Sequence, residues 1–294
     1  MDGVTLLIDC ASLAYRAYHS VPPLRSPGGA PVHAALGLLN FVSKLIEDRS
    51  PSHLHVALDA DWRPTFRVAA LPSYKTHRLA DDSAAEDEVG PQIVIAVELL
   101  EAAGISVASA AGFEAEDVIA ALARRATGAV EIVTGDRDLY ALVADPRVVV
   151  LYTLRGVSEL AHVDQAYIAR KYGIPGDRYL DFALLRGDPS DGLPGVRGIG
   201  EKTAALLISR YGSLEALLAA PDLAPGVRAK LDADAAYLAA ARAVVAPVAD
   251  CPVSAGDGVG PRAPRDGALL AALGVRHGLT ASSMRLADVL LQRG

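Results

Sequence analysis

The residues of this chain that could do chemistry are acidic, and they occur in short clusters. Single aspartates end two apolar runs, Asp9 after residues 4–8 and Asp59 after residues 54–58. Three clusters follow along the chain: Glu114-Ala115-Glu116-Asp117, Asp136-Arg137-Asp138 and Asp188-Pro189-Ser190-Asp191. A single acid at a helix start is an ordinary partner of the helix dipole. Repeated clusters behind apolar runs are harder to explain in that way, and they indicate a functional site.

Several carboxylates gathered at one place repel each other and raise one another's pKa values. Such a site is therefore stable only when cations are present. Oxygen ligands without His or Cys partners favour hard ions, so the clusters predict Mg²⁺ or Mn²⁺. Two such ions about 4 Å apart can stabilise both the attacking and the leaving oxygen of a phosphoryl displacement. The predicted chemistry is phosphodiester hydrolysis.

The first half of the chain alternates between strand and helix patterns. Strands are predicted at residues 4–9, 54–59, 105–108, 130–134 and 148–152, and helices at 33–48, 92–103 and 114–127. This alternation predicts a parallel sheet with both faces covered. Because functional sites in such sheets lie beyond the carboxyl ends of the strands, Asp9, Asp59 and Asp136 should meet at one edge.

Helical patterns dominate after about residue 160. A Gly/Pro-rich loop or hairpin at residues 187–200 is followed by short predicted helices at 201–211 and 213–220. Residues 254–265 read as a surface connector, and residues 267–293 as an amphipathic helical tail.

Charge and composition narrow the class of protein. The 294-residue chain has a formal net charge of −7, which by itself disfavours a polyanion as partner. The charge is segregated, however: residues 61–78 hold four basic side chains against one aspartate, while residues 81–88 hold five acids. Such segregation suits a site where phosphates meet both cations and carboxylates.

Cysteine usage and hydropathy bear on location. The two cysteines, Cys10 and Cys251, form neither a disulfide framework nor a zinc-binding spacing. The sequence has no apolar run of roughly 20 residues and no basic segment before an apolar start. We therefore expect a cytoplasmic protein with no membrane partner.

The acidic clusters and their surroundings resemble a known family. Residues 59–78, with Thr65-Phe66-Arg67 and Leu71-Pro72-Ser73-Tyr74-Lys75, closely resemble a block of the bacterial 5′ nucleases. These are the N-terminal 5′–3′ exonuclease domain of type I DNA polymerases and the stand-alone flap endonucleases. Residues 8–17, 112–118, 134–139 and 187–204 resemble further blocks, in the family's order. Glu116, where Asp is commoner, and Gly192, where Asn is frequent, are departures that remove no carboxylate.

The resemblance implies a fold and an activity. The fold would be α/β and PIN-like, with a mostly parallel central sheet flanked by helices. Residues 1–172 would form the nuclease core with a helical arch at about 61–92. Residues 173–294 would form a helical region with a helix–three-turn–helix at about 185–220 and C-terminal helices. The activity would be a metal-dependent, structure-specific 5′–3′ exonuclease and flap endonuclease acting on DNA in replication or repair.

The resemblance also implies roles for single residues. The metal ligands or near-ligands, for two or three ions, would be Asp9, Asp59, Glu114, Glu116 and Asp136 for the first metal, Asp138, Asp188 and Asp191 for the second, and Asp117 directly or through water. Arg67 and Lys75 would stabilise charge on the scissile phosphate. Tyr74 would stack on a nucleobase, with Arg78 beside it. Gly198, Gly200, Lys202 and Thr203 would hold duplex DNA at a hairpin that often also binds K⁺.

Two other functions compete with the nuclease. One is a non-catalytic or weakly catalytic relative that binds branched DNA, and the other is a ribonuclease on a similar fold. The complete set of carboxylates speaks against the first, and the duplex-binding hairpin against the second. We expect a stand-alone monomer whose partners are DNA with 5′ ends, flaps or nicks, with RNA-containing flaps as further candidates.

Overall fold

A six-stranded sheet forms the centre of the molecule, in a computed structural model that describes residues 3–80 and 84–292. The strands are β1 Thr5–Asp9, β2 His53–Ala57, β3 Ser106–Ala108, β4 Val130–Thr134, β5 Val148–Arg155 and β6 Glu159–Val163. Their spatial order is β3-β2-β1-β4-β5-β6, and neighbouring strands are parallel except β5 and β6. The predicted α/β fold with a mostly parallel sheet is confirmed.

Strand β6 is absent from the sequence-based prediction. It pairs antiparallel with β5 at the edge of the sheet, with Val150 opposite Val163. Of its five residues only Val163 is buried, so the strand lacks the apolar run that marks β1, β2 and β4. Strand β6 nevertheless lies within residues 1–172, the predicted extent of the nuclease core.

Helices cover both faces of the sheet and form most of the second half. They are α1 Cys10–Ser20, α2 His33–Arg49, α3 Thr65–Ala70, α4 His77–Ala80, α5 Ala84–Ala102, α6 Ala115–Arg125, α7 Gln165–Tyr172, α8 Tyr179–Arg186, α9 Glu201–Tyr211, α10 Leu214–Ala219, α11 Pro225–Ala233, α12 Ala235–Val245, α13 Gly267–His277 and α14 Thr280–Leu291. The predicted helices at 33–48, 114–127 and 201–211 correspond to α2, α6 and α9.

Two helical predictions need correction. Helix α5 begins at Ala84 instead of residue 92. Proline is common at the first position of a helix, but Pro91 lies inside this one. Most of the acidic stretch at 81–88 therefore belongs to a helix, while residues 81–83 lie outside the described residues. The predicted tail helix is two helices, because Gly278 ends α13 in a left-handed conformation with φ of +68°.

Alternation along the strands divides the core between the two faces of the sheet. Leu7 of β1 belongs to one hydrophobic cluster, while Leu6 and Ile8 belong to the other. The first cluster includes Val118 of α6 and extends into the helical region. The second includes side chains from α1, α2 and α5.

The last two helices return to the α/β core. Leu270 and Leu273 of α13 and Leu286 and Leu290 of α14 are buried in the cluster that includes α2 and α5. The second half of the chain is therefore not a single layer of helices, because its end packs on the first half. Among the described helices, none is both long and apolar enough to span a membrane.

Candidate active site

Three strands deliver one aspartate each to the carboxyl edge of the sheet. Asp9 ends β1, and its carboxylate accepts hydrogen bonds from the Ser12 amide at 3.1 Å and the Thr134 hydroxyl at 2.7 Å. Asp59 lies two residues past β2, and its carboxylate accepts the Ala115 amide at 2.7 Å. Asp136 lies two residues past β4. The parallel sheet thus brings Asp9, Asp59 and Asp136 to the same edge, as the sequence predicts.

These acids line one cavity of about 1450 Å³. Six of the nine predicted metal ligands line it: Asp9, Asp59, Glu114, Glu116, Asp136 and Asp188. Basic side chains line the same cavity, among them Lys75, Arg78 and Arg186. The cavity therefore combines carboxylates with cations at the place where the sheet ends.

The three remaining predicted ligands, Asp117, Asp138 and Asp191, are not among the residues that line the cavity. Asp138 is 7% exposed, and its carboxyl group feels the charges of Asp136, Asp191 and Asp188. The carboxylate of Asp191 pairs with Arg78 at 2.7 Å.

Asp117 has a structural role at the start of α6. Its side chain is fully buried and accepts the Glu114 amide at 3.1 Å in a capping box at the start of α6. It also accepts the Val248 amide at 2.8 Å and the Arg67 guanidinium at 2.7 Å. Both carboxylate oxygens are thus engaged within the protein in this conformation, as are those of Glu114, and the ligand role of Asp117 stays a prediction.

Arg67 is the cation at the centre of the acidic cluster. Its side chain is completely buried, and its guanidinium pairs with Glu114, Glu116 and Asp117. Burial alone would lower the pKa of Arg67, but the three carboxylates raise it, so the group stays charged. A buried arginine with three acidic partners positions carboxylates. It does not reach a phosphate in the cavity in this conformation, which corrects its predicted catalytic contact.

Lys75 points into the acidic centre from the arch segment. Its backbone is left-handed, with φ of +50°, and its ammonium pairs with Glu114. Burial alone would lower the pKa of Lys75, but Asp191, Glu114 and Glu116 raise it. Lys75 therefore lies at the cavity wall as a charged group, as expected of a side chain that meets a phosphate.

Tyr74 is placed differently from its predicted role. The side chain is 2% exposed, and its hydroxyl donates to Glu114 at 2.6 Å. A buried ring cannot offer a face to a nucleobase, so the stacking assignment is wrong for this conformation. Trp62, which is 41% exposed, lines the cavity together with Tyr15 and Tyr152. Trp62 lies within the resembling segment at residues 59–78, but the sequence analysis assigned it no role.

The arch segment is docked on the fourth acidic cluster. The Lys75 amide donates to the Asp191 carbonyl at 2.9 Å, and the Ser73 hydroxyl donates to the Gly192 carbonyl at 3.1 Å. Gly192 has φ of +73°, and a Cβ there would lie 2.3 Å from the Ser73 carbonyl oxygen. The close approach explains the glycine at a position where the family often has asparagine.

Burial and mutual repulsion shift the acids of the site. The pKa of Asp9 is raised to about 7 by burial and by the neighbouring charge of Asp59, against the hydrogen bond from Thr134. Burial raises the pKa of Glu116 and of Asp138 well above the ordinary range, and adjacent carboxylates add to both shifts. Stabilising the ionised forms therefore requires additional positive charge.

The donor chemistry of the site fits hard divalent ions. Every candidate ligand is a carboxylate, and Asp59 and Asp136 are exposed to the cavity. Within residues 3–80 and 84–292, however, no three His, Cys, Asp or Glu side chains are arranged to hold an ion as they stand. Glu114 and Asp191 turn instead to Lys75 and Arg78. Metal binding would have to redirect some of these carboxylates.

The cavity also has a basic wall that sequence reasoning did not identify. Arg16 of α1, Arg137 and Arg155 line it on the side of β5 and α1. The Arg16 guanidinium lies 3.1 Å from the position of a Cβ on Gly135, so that glycine allows the arginine to approach the Asp136 loop. Arg16 and Arg137 lie within segments that resemble the family. Their place in these segments is the sequence feature that could have identified them as site residues.

The predicted DNA-binding hairpin lies at the rim of the cavity. Gly200 is the N-cap of α9 and lines the cavity, while Gly198, Lys202 and Thr203 lie outside its lining. Gly198 has φ of +76°, a conformation that favours glycine. The hairpin is therefore connected to the acidic centre through Gly200.

Comparison with known proteins decides the family. Residues 4–173 match the family model for the N-terminal resolvase-like domain of 5′-3′ exonucleases, and residues 174–258 match the model for their C-terminal SAM fold. The chain belongs to the 5′-3′ exonuclease family. The family predicted from the sequence motifs is thereby confirmed.

Two curated relatives match along nearly their whole length. The 5′-3′ exonuclease of Streptomyces coelicolor is 48% identical, covering 97% of this chain and 99% of the relative. The 5′-3′ exonuclease of Mycobacterium tuberculosis is 43% identical, covering 99% of this chain and 98% of the relative. DNA polymerase I of Mycobacterium tuberculosis is 44% identical over 77% of this chain but only 25% of that protein.

Solved structures share the fold at low sequence identity. The T5 5′-exonuclease with bound zinc has a TM-score of 0.65 and 17% identity, covering 98% of both chains. Flap endonuclease-1 from Methanococcus jannaschii has a TM-score of 0.66 and 18% identity, covering 100% of this chain and 94% of that one. This 5′-3′ exonuclease family member thus has the fold of both proteins.

Replacing Arg67 by Met should destabilise the protein by about 3 kcal/mol or more, because three buried carboxylates would lose their cation. Urea unfolding of the metal-free protein at about pH 8 measures the change. The matched control is Arg285→Met, which removes an arginine whose surface pair with Glu47 spans 3.3 Å and should cost less than about 1 kcal/mol. Equal stability of the two variants would contradict the structural role of Arg67.

The metal-free protein should lose stability as pH rises from about 5 to about 8. Asp9 has a folded-state pKa of about 7, above its ordinary value, so the folded state binds a proton that the unfolded state has released. That contribution is present at low pH and is lost as the pH rises through about 7. Urea unfolding in EDTA across this range measures it. A stability that rises steadily to pH 8 would contradict the raised pKa.

Proposed function

We propose that this protein is a divalent-metal-dependent 5′–3′ exonuclease and flap endonuclease that hydrolyses DNA phosphodiesters at 5′ ends or flap junctions. The observation that carries the proposal is the cavity at the carboxyl edge of the sheet, where six carboxylates face basic side chains. Membership of the 5′-3′ exonuclease family and the full-length relatives named as such support it. The bacteriophage T5 flap endonuclease, solved in a complex with DNA and metal ions, shares the fold with a TM-score of 0.65.

Asp9, Asp59, Glu114, Glu116 and Asp136 would hold the first ion, and Asp188, with Asp138 and Asp191, the second. When bound, Mg²⁺ or Mn²⁺ supplies charge neutralisation on the phosphate and an acidified water at neutral pH. Arg67 holds the carboxylates of Glu114 and Glu116 in position through an ion pair with each.

The arch side chains would contact the phosphate. Lys75 and Arg78 line the cavity but pair with Glu114 and Asp191 in this conformation. An ion or a phosphate that binds these carboxylates would release both basic side chains toward the substrate. Their charge would then stabilise the negative charge that develops during hydrolysis.

The remaining surfaces would select the substrate. The arch, at about residues 61–92, would admit a free 5′ end, and the hairpin at about 185–220 would hold duplex DNA through backbone amides without reading sequence. We propose that residues 1–172 do the chemistry and that the helical region from residue 173 holds the duplex, with α13 and α14 bracing the core. A monomer acting on nucleoid DNA in replication or repair is consistent with these assignments.

Asp136→Asn should reduce cleavage of a 5′-flap duplex by about a thousandfold or more, because it removes an exposed carboxylate from the centre of the cavity. Gel-resolved cleavage of a flap labelled at either end, with Mg²⁺, with Mn²⁺ and with EDTA, measures the activity. The wild type should cut near the junction in either metal and remain inactive in EDTA.

Asp48→Asn is the matched control, since Asp48 is a surface acid on α2 that pairs with Lys44. It should cleave at the wild-type rate. Wild-type rates in Asp136→Asn would refute the proposed site. Binding without cleavage in either metal would favour a branched-DNA-binding relative, and a matched RNA flap cut faster than DNA would favour a ribonuclease.

A further inference from the structure

Two charged side chains, Lys230 and Asp234, form hydrogen bonds with the backbone of the turn before α9. Lys230 of α11 donates its ammonium to the Gly198 carbonyl at 3.0 Å. Asp234, which follows α11, accepts the Arg197 amide on its carboxylate at 2.7 Å. Residues 230 and 234 are four apart on one helical face, so the end of α11 contacts consecutive residues of the turn.

The backbone of the turn is shaped for the lysine. Gly198 has φ of +76°, and a Cβ at this position would lie 3.1 Å from Lys230 Nζ. Glycine thus allows both the left-handed conformation and the approach of the ammonium group to the carbonyl oxygen. The contact joins residues 32 positions apart in sequence, so it is a tertiary feature of the helical region.

The K⁺ ion expected at this hairpin does not fit the turn as it is arranged. Such an ion would need backbone carbonyl oxygens, and the Gly198 carbonyl of the turn already accepts the ammonium of Lys230. At the Gly198 oxygen, a second cation would be repelled by the ammonium of Lys230 a few ångströms away.

We propose that Lys230 is the built-in cation of this DNA-binding turn and takes the place of a bound K⁺ ion. Its ammonium fixes the Gly198 carbonyl, and thereby the direction of the amides at the start of α9. Lys230 is exposed, so its charge also adds to the field that a DNA phosphate meets at the turn. Lys230 is a positioning residue, because it acts through the backbone of Gly198.

The proposal rests on the proposed function, since it concerns how the hairpin holds duplex DNA. A covalently attached ammonium group cannot dissociate or exchange. Duplex binding should therefore respond to total ionic strength, as all phosphate contacts do, but not to the identity of the monovalent cation.

The test measures duplex binding by fluorescence anisotropy in the Asp136→Asn background, with KCl, NaCl or choline chloride at one ionic strength. The background protein should bind equally in the three salts, within about twofold. Adding Lys230→Ala should weaken binding about tenfold in choline, since a charge-assisted hydrogen bond is lost. KCl should restore most of that binding, because K⁺ can then enter the vacated position, while Lys230→Arg should stay independent of the cation.

Lys44→Ala is the matched control, because it removes one lysine from an exposed pair on α2. It should bind as the background protein does, and thermal unfolding verifies that each variant is folded. Cation dependence in the background protein would overturn the proposal. So would Lys230→Ala behaving like Lys44→Ala, or losing affinity that K⁺ does not restore. Failure of the background protein to bind duplex in any salt would instead contradict the proposed function.

Discussion

Repulsion among carboxylates at the carboxyl edge of the sheet is the constraint on which the rest of this structure depends. The parallel strands bring Asp9, Asp59 and Asp136 to one place, and α6 adds Glu114 and Glu116. Such a concentration of acids is costly in a partly buried site unless cations compensate for it. The completely buried Arg67, with carboxylate partners on α6, provides part of that compensation within the protein.

The same constraint explains how distant segments are joined. Lys75 and Arg78 pair with Glu114 and Asp191 from the arch. The Lys75 amide and the Ser73 hydroxyl also donate to the carbonyls of Asp191 and Gly192. Asp117 extends the network to the Val248 amide in the helical region. Charge compensation therefore connects the arch, the core and the helical region. A change of charge in the cavity should therefore alter the ion pairs and hydrogen bonds that connect these three segments.

Sequence reasoning reached the fold and the strand-end acids because both depend on local patterns. An apolar run that ends in an acid marks Asp9 and Asp59, and parallel topology then brings them together. Strand β6 has no such run and was not predicted. The burial of Tyr74, the full engagement of Asp117 and the contact of Lys230 with Gly198 depend on tertiary packing. No local pattern carries that information, so the motif resemblance could not show that Tyr74 is buried or that Asp117 caps α6 in this conformation.

The central claim is that these carboxylates form a binding site for divalent ions. Calorimetric titration of Mn²⁺ at about pH 8, into the wild type and Asp188→Asn, tests it most directly. The account predicts saturable binding of about two ions per wild-type chain and the loss of one in the variant. Absence of saturable binding to the wild type, or the same number of ions in both proteins, would contradict it.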